Sequence, residues 1–252
     1  PDVMDFITAK RTPCRWNNFN VSVGVPDHFM KAVEADGEWE LVHEATPGVD
    51  LQKEGARQRA DGQWVYRTMR ARELWDTIMK SAYDFAEPGI LFLDQINTDN
   101  NLHYAEKIQA TNPCGEQPLP PYGCCDLGPI ILTRFVREPF TPQAHFDLAA
   151  FRASVAIQVR MLDNVLDATV WPLPEQQREA QQKRRIGVGF TGLGDTLILL
   201  GLRYASDEGL KQAETIARTM RDAAYEASVE LAQEKGAFPL FNAELYLSGG
   251  NF

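Results

Sequence analysis

An α/β fold is what this sequence predicts, and three observations predict it. Phe19, Val21, Val23 and Val25 alternate with polar or small residues, the period of two that marks a strand. Leu74, Ile78, Ala82 and Phe85 recur at helical spacing over Arg70 to Ala86, until Glu87-Pro88-Gly89 breaks the pattern. The unbroken apolar run Ile90-Leu91-Phe92-Leu93 follows at once, and a short run with no polar face predicts a parallel strand covered on both sides by helices. Strands and helices thus alternate in βα order, the pattern of an α/β domain.

The remaining elements follow in chain order. Pro26-Asp27 opens a short helix with Phe29 and Val33 on one face, and Trp39, Leu41 and Val42 predict a brief strand. Pro47 to Gly62 is polar and irregular and reads as a surface excursion. After the apolar run, Asp94, Gln95, Asn97, Thr98, Asp99, Asn100 and Asn101 read as a solvated loop, with His103 and Tyr104 beyond it. Ligand sites in α/β proteins gather past the carboxyl ends of strands, so substrate contact is the minority reading there. In the second half, Leu148, Phe151, Val155, Val159, Leu162 and Leu166 trace one face of a long helix that Trp171-Pro172 stops. Ser206 caps a further helix with Leu210, Ala213, Ala217, Met220, Ala224, Ala227 and Leu231 turned inward and Gly236 at its end. Between these helices Gln181-Gln182-Lys183-Arg184-Arg185 is a basic break, read as a solvated charge run in preference to a phosphate contact.

At 252 residues, 44% hydrophobic and 24% charged, the chain is long and apolar enough for one large or two small domains. A formal net charge of −10 argues against binding duplex nucleic acid or an anionic membrane, both of which need basic surfaces. No apolar run approaches the roughly 18 to 20 residues of a membrane span, and Pro1-Asp2-Val3-Met4-Asp5 is no signal peptide, so the chain reads as cytoplasmic. A start without methionine and an ending Gly249-Gly250-Asn251-Phe252 that is no natural stop read as the ends of a piece cut from a longer polypeptide.

Chemistry concentrates in Thr111 to Gly128, where four prolines and three glycines rule out helix and regular strand. Asn112, Cys114 and Glu116 alternate, so on extended backbone they would give one surface an amide, a sulfur and a carboxylate. Pro113 pushes Asn112 toward extended geometry, and Gly115 lets a small molecule approach the backbone. The four cysteines, at 14, 114, 124 and 125, form neither a disulfide framework nor a zinc motif, since no Cys-x-x-Cys pair exists. Cys14 reads as a small buried or incidental thiol. His28, His43, His103 and His145 are scattered and read as structural.

Asn112-Pro113-Cys114-Gly115-Glu116, followed by Gln117-Pro118-Leu119-Pro120-Pro121-Tyr122-Gly123-Cys124-Cys125-Asp126-Leu127-Gly128, resembles the catalytic finger loop of ribonucleotide reductase large subunits, most closely the adenosylcobalamin-dependent class II enzymes. Asn18 to Val25, Glu87 to Asp94 and Arg185 to Leu193 also resemble family segments, in the family's order. Pro129-Ile130-Ile131 departs from it, where serine and then asparagine around the isoleucine are expected.

The resemblance implies part of a ten-stranded α/β barrel built of two five-stranded halves, with the finger loop, about residues 111 to 128, running through its centre. It implies a thiyl radical on Cys114 that takes the 3′ hydrogen of a ribose, Glu116 as general base for the 3′-hydroxyl, and Asn112 orienting the substrate by hydrogen bonds. Cys125, eleven positions after Cys114 as in the class II family, becomes the redox thiol, with Cys124 as the alternative. Adenosylcobalamin is then the radical source, an external dithiol such as thioredoxin the reductant, a ribonucleoside di- or triphosphate the substrate, and a homodimer the state of the parent. By the same comparison residues 1–252 are the central part of the catalytic barrel domain. The second redox cysteine and the allosteric loops would precede Pro1, and the phosphate-binding loop would follow Phe252. The chain alone is then expected to be catalytically silent and to self-associate through unpaired strand edges.

Two rival readings come from the residues themselves. Gly187-x-Gly189-x-x-Gly192, with Asp207 or Glu208 further on, formally satisfies the dinucleotide fingerprint of a nicotinamide-dependent oxidoreductase. The fingerprint needs a hydrophobic strand ahead of its first glycine, whereas Gly187 follows Lys183-Arg184-Arg185-Ile186, so close strand-helix contact explains the glycines better. The second rival is a non-catalytic scaffold, against which the grouped Asn112, Cys114 and Glu116 argue.

Overall fold

Val25, Phe29 and Val33 recur one helical turn apart, and the first half of the chain buries all three around helix α2 (Asp27–Glu34). The computed structural model describes residues 1–249, in two units: Pro1–Pro121 with the chain from Glu244, and Tyr122–Ala243. Gly250, Asn251 and Phe252, part of the ending that reads as no natural stop, lie outside the described residues.

In the first unit α1 (Val3–Thr8) precedes β1 (Ser22–Gly24), and α2 leads to β2 (Glu38–His43). Then come α3 (Val49–Lys53), β3 (Arg57–Gln58), β4 (Trp64–Arg70), α4 (Ala71–Phe85), β5 (Gly89–Leu91) and α5 (Leu93–Thr98). β1 and β5 pair in parallel, Ser22 opposite Gly89 and Gly24 opposite Leu91, with α2 and α4 in the crossover between them. β2, β4 and β3 form an antiparallel sheet in that order. The core joins Ile7, Val25, Phe29, Leu41, Met69, Leu74 and Ile78. A short hairpin closes the unit, β6 (Ala110–Thr111) against β7 (Pro118–Leu119).

Several expectations need correction here. The first strand covers only Ser22–Gly24, with Val21 O and Val25 N still bonded to the backbone of Gly89 and Leu91, and it does not reach Phe19, which is exposed. β5 is parallel as predicted but not covered on both faces: Ile90 and Leu91 are half-buried and Phe92 is exposed. Phe85 is exposed too, since α4 ends there and Ala86 turns into the left-handed region at φ +59°. The excursion at 47–62 contains α3 and β3. The expected polar loop at 94–101 is helical to Thr98, and its amides hold protein. Asn97 Nδ2 donates to Leu93 O (2.8 Å) and Ile108 O (3.0 Å), while its Oδ1 accepts from Ile108 N (2.8 Å).

The second unit runs β8 (Asp126–Ile131), β9 (Val136–Arg137), β10 (His145–Phe146), α6 (Leu148–Ala168), α7 (Pro174–Lys183), β11 (Ile186–Thr191), α8 (Leu193–Leu199) and α9 (Asp207–Lys235). β8 and β11 pair in parallel over six residues, from Asp126 opposite Ile186 to Ile131 opposite Thr191. Phe135, Phe146 and Phe151 meet edge to face or tilted in a core with Leu132, Val155, Ile216 and Ala223. Ser206 Oγ caps α9 as predicted, accepting from Gly209 N (3.1 Å), and Asp147 caps α6 through Ala150 N (3.0 Å).

The inward face of α9 carries Gly209, Ile216, Ala223, Ala227 and Leu231, whereas Leu210 and Ala217 face outward. The expected stripe was therefore offset by one position over the first half of the helix. Leu148 is likewise exposed at the start of α6. The basic break is not a solvated run. Lys183 is buried and pairs with Glu179, and Arg184, at φ +46°, binds α6: its Nε donates to Asp163 Oδ1 (2.7 Å), its Nη1 to Asp167 Oδ1 (2.7 Å) and its Nη2 to Asp167 Oδ2 (2.9 Å). Lys235 at the end of α9 donates to Asp163 Oδ2 (2.6 Å) and Asn164 Oδ1 (2.8 Å). One carboxylate thus ties α6 to the approach of β11 and to the last turn of α9. Each unit has a parallel strand pair joined by a helical crossover, the α/β class that the sequence predicts.

Candidate active site

The β6–β7 hairpin presents residues 112–117 at its tip. Asn112-Pro113-Cys114-Gly115 has the composition of a type I turn, with asparagine first, proline second and glycine fourth. Gly115 N donates to Asn112 O (3.1 Å), the bond that closes such a turn, and Gly115 sits at φ +88°, a conformation glycine adopts without strain. Asn112 N donates to Gln117 O (3.3 Å), and Gln117 N donates to Asn112 Oδ1 (3.0 Å). Asn112, Cys114 and Glu116 are therefore gathered as expected, but by a tight turn and not by alternation along extended backbone. Cys114 and Glu116 are exposed and Asn112 is half-buried. With its Oδ1 committed to the turn, Asn112 offers a ligand the two Nδ2 donors.

A cavity of about 600 Å³ lies beside this turn, lined by Phe6, Trp16, Phe19, Asn20, Leu91, Thr111, Asn112 and Pro113. That is a volume suited to a nucleoside-sized ligand, with aromatic walls and few polar groups. Asn20 Nδ2 donates to Pro113 O (3.2 Å), joining the turn to the segment that enters β1. Glu87 fixes the same segment, accepting from Val21 N (3.1 Å) and pairing with Lys10. Sequence reasoning missed Asn20 as a site residue. Its signal was a lone amide next to an apolar alternation, indistinguishable from an ordinary strand flank.

Cys124 and Cys125 precede β8 in the second unit, whereas Cys114 belongs to the first. Both are half-buried. An added Cβ at Gly187 would overlap Leu127 Cδ2, so this glycine leaves room for Leu127, and it would meet Cys125 Sγ at an ordinary contact distance of 3.5 Å. Burial pushes the Cys125 thiol up to about 11, with the Arg185 charge opposing and Cys124 and Asp126 adding to it. Burial also raises Cys124, against Arg185 and Lys183 and with Glu179 and Asp126. Cys14, expected to be buried or incidental, is exposed at φ +66°. The histidines make local contacts: His28 lies tilted against Trp39, His103 meets Tyr104, His43 Nδ1 accepts from Ala45 N, and His145 Nδ1 bonds Gln143 O.

The fold and the turn define a class: α/β domains that present a cysteine, flanked by an amide and a carboxylate, on a hairpin beside a cavity of nucleoside size. The chain belongs to the ribonucleotide reductase family, whose model, described as "Ribonucleotide reductase, barrel domain", matches residues 1–252. It is 39% identical over 99% of its length to a "Vitamin B12-dependent ribonucleoside-diphosphate reductase" of Mycobacterium tuberculosis (strain ATCC 25618 / H37Rv), covering 33% of that protein. A protein of the same description from Thermoplasma acidophilum is 36% identical over 95% of the chain and 29% of its own length. A "Ribonucleoside-diphosphate reductase large subunit" of Caenorhabditis elegans is 28% identical over 95% of the chain and 32% of its own. The chain thus spans about a third of the length of these relatives. No helix among the described residues is long and apolar enough to cross a membrane.

Proposed function

We propose that the protein to which this chain belongs reduces ribonucleotides to deoxyribonucleotides by radical chemistry, with the hydrogen-abstracting sulfur on Cys114. The reading is carried by the turn, which exposes Cys114 between Asn112 and Glu116 beside a cavity of about 600 Å³. A thiyl radical at Cys114 takes the 3′ hydrogen of the ribose, because S–H and activated C–H bonds are close enough in strength for the transfer to run both ways. Glu116 accepts the 3′-hydroxyl proton as general base, and the Asn112 Nδ2 donors orient the sugar.

The 2′-hydroxyl leaves as water while two thiols, Cys125 and a partner outside residues 1–252, lose two hydrogens and become a disulfide. An external dithiol of the thioredoxin kind returns them to thiols. Adenosylcobalamin, when bound, would supply the radical, and Cys114 is the residue that would give up a hydrogen atom to it. Exposure of Cys114 fits this, since a bulky group can approach a sulfur on an open turn but not one inside a core. Ribonucleoside di- or triphosphate substrate, a homodimeric parent and a cytoplasmic setting complete the reading.

The nicotinamide alternative is disfavoured by geometry. Gly187 and Gly189 lie within β11, paired to β8, and only Gly192 stands at a strand-to-helix turn. A pyrophosphate needs those glycines at the turn itself. The test is Cys114→Ser in the parent protein: deoxyribonucleotide formation is abolished while ribonucleotide binding stays within about twofold, because an O–H bond is too strong for the radical to open. Measurable turnover by that variant overturns the assignment.

A further inference from the structure

Cys125 faces two demands that conflict. To reduce a substrate it must carry its hydrogen, and to be regenerated it must leave as a thiolate when an external dithiol attacks its disulfide. This conflict rests on the role proposed above for Cys125, and the surroundings of the sulfur answer both sides of it.

β8 and β11 run parallel with Asp126 opposite Ile186, so the same register, continued one residue back, sets Arg185 beside Cys125 where the two strands begin. Asp126 N donates to Arg185 O (3.4 Å), which fixes this end of the pair. Cys125 Sγ lies on the face of the pair that Gly187 leaves without a side chain, 3.5 Å from where a Cβ there would sit. Asp126 Oδ2 is buried and has no hydrogen-bond partner among the described residues, and burial raises its carboxyl against a hydrogen bond from Leu127 N. Two thiols, one carboxyl and one guanidinium therefore share a few residues at one end of a sheet.

We infer that Arg185 and Asp126 are positioning residues for the reductant thiol: the Arg185 guanidinium favours the Cys125 thiolate, the Asp126 carboxylate opposes it, and their balance sets how readily the sulfur enters exchange. The charged and titratable groups acting on Cys125 are Arg185, Cys124 and Asp126, and on Cys124 they are Arg185, Glu179, Asp126 and Lys183. Among the described residues Arg185 is the one cation common to both sets. Cys125, about 11 in its thiol equilibrium, is almost wholly protonated near neutrality, which suits the hydrogen donor. Arg185 keeps it from rising further, which suits the leaving group.

The test is the alkylation rate of Cys125 by iodoacetamide against pH, resolved from Cys124 by tandem mass spectrometry. Wild type, Arg185→Gln, Arg185→Lys and Asp126→Asn are compared. Below pH 11 the rate follows the thiolate fraction, and removing one neighbouring charge changes that fraction about three- to tenfold. Arg185→Gln slows Cys125 by that factor and moves its profile to higher pH, Asp126→Asn speeds it, and Arg185→Lys stays within about twofold of wild type. If Arg185→Gln and Arg185→Lys shift the profile alike, or Asp126→Asn slows it, the inference is overturned. Should Arg185→Gln lose its helical circular dichroism, the other two variants still decide. The readout involves no turnover, so it stands apart from the catalytic role of Cys125, which Cys125→Ser in the parent tests by loss of steady turnover.

Discussion

Asp163→Asn should cost the second unit about 2 to 3 kcal/mol, and the structure shows where that figure comes from. Asp163 is only 8% exposed and accepts from Arg184 Nε at 2.7 Å and Lys235 Nζ at 2.6 Å. A charge-assisted hydrogen bond contributes about 1.5 to 3 kcal/mol, and breaking a fully buried ion pair costs about 3 to 5. Asparagine keeps one acceptor for one of the two cations, and Arg184 retains Asp167, so the loss falls near the lower end. Burial pushes the Asp163 carboxyl up, but hydrogen bonds and charges from Arg184 and Lys235 outweigh it and hold the group below the usual carboxylate range. A depressed carboxylate contributes stability that is complete above its unfolded value, about 3.9, and is lost as pH falls through the lower folded value. Urea unfolding of both proteins between pH 3 and 7 measures this. The gap should be full at pH 6 to 7 and should narrow in acid. A gap under about 0.5 kcal/mol at pH 7, or one that widens as pH falls, refutes the reasoning.

Two further predictions concern the glycines and the turn. A Cβ at Gly128 would overlap Gln158 Nε2 and come 3.1 Å from the buried Leu162, so Gly128→Ala should cost about 1 to 3 kcal/mol in denaturant unfolding. Gly187→Ala, which meets first the exposed and rotatable end of Leu127, should cost less than about 1.5 kcal/mol, and the reverse ranking would show that α6 yields where β8 does not. Asn112→Ala removes the acceptor of Gln117 N and should speed hydrogen exchange of that amide about fivefold, whereas Asn112→Asp should leave it unchanged. Equal exchange in all three would mean that the side chain does not hold the turn.

The fold class was legible because periodicity reports burial: α2, α6 and the parallel strand at Ile90 follow directly from spacing. Exposed positions such as Phe85, Phe92 and Leu210 were misread because apolar character alone cannot say where a helix or strand stops being covered. The offset along α9 has a similar origin: alanines at 213, 217 and 224 fit two neighbouring faces equally well, and only the partner helix decides between them. The ion network at Asp163 was invisible in sequence because its members stand at 163, 167, 184 and 235, and nothing local marks charges that meet through tertiary structure. Asn112, Cys114 and Glu116 stood out in the sequence, but the backbone that carries them was misjudged. Asn-Pro-x-Gly carries a turn signature, and proline's push toward extended backbone was weighed above it.

The pairing of β8 with β11 has a consequence for how the chain is made. About sixty residues separate Asp126 from its strand partner Ile186, and a ribosome adding about 5 to 20 residues per second spends several seconds between them. Throughout that interval Cys124 and Cys125 have emerged while the strand that will flank them has not. Helix α6 forms from local contacts in the meantime, but the sulfurs wait for the far end of the crossover. Newly made chains are therefore open to oxidation and mispairing at these two cysteines until β11 has joined β8.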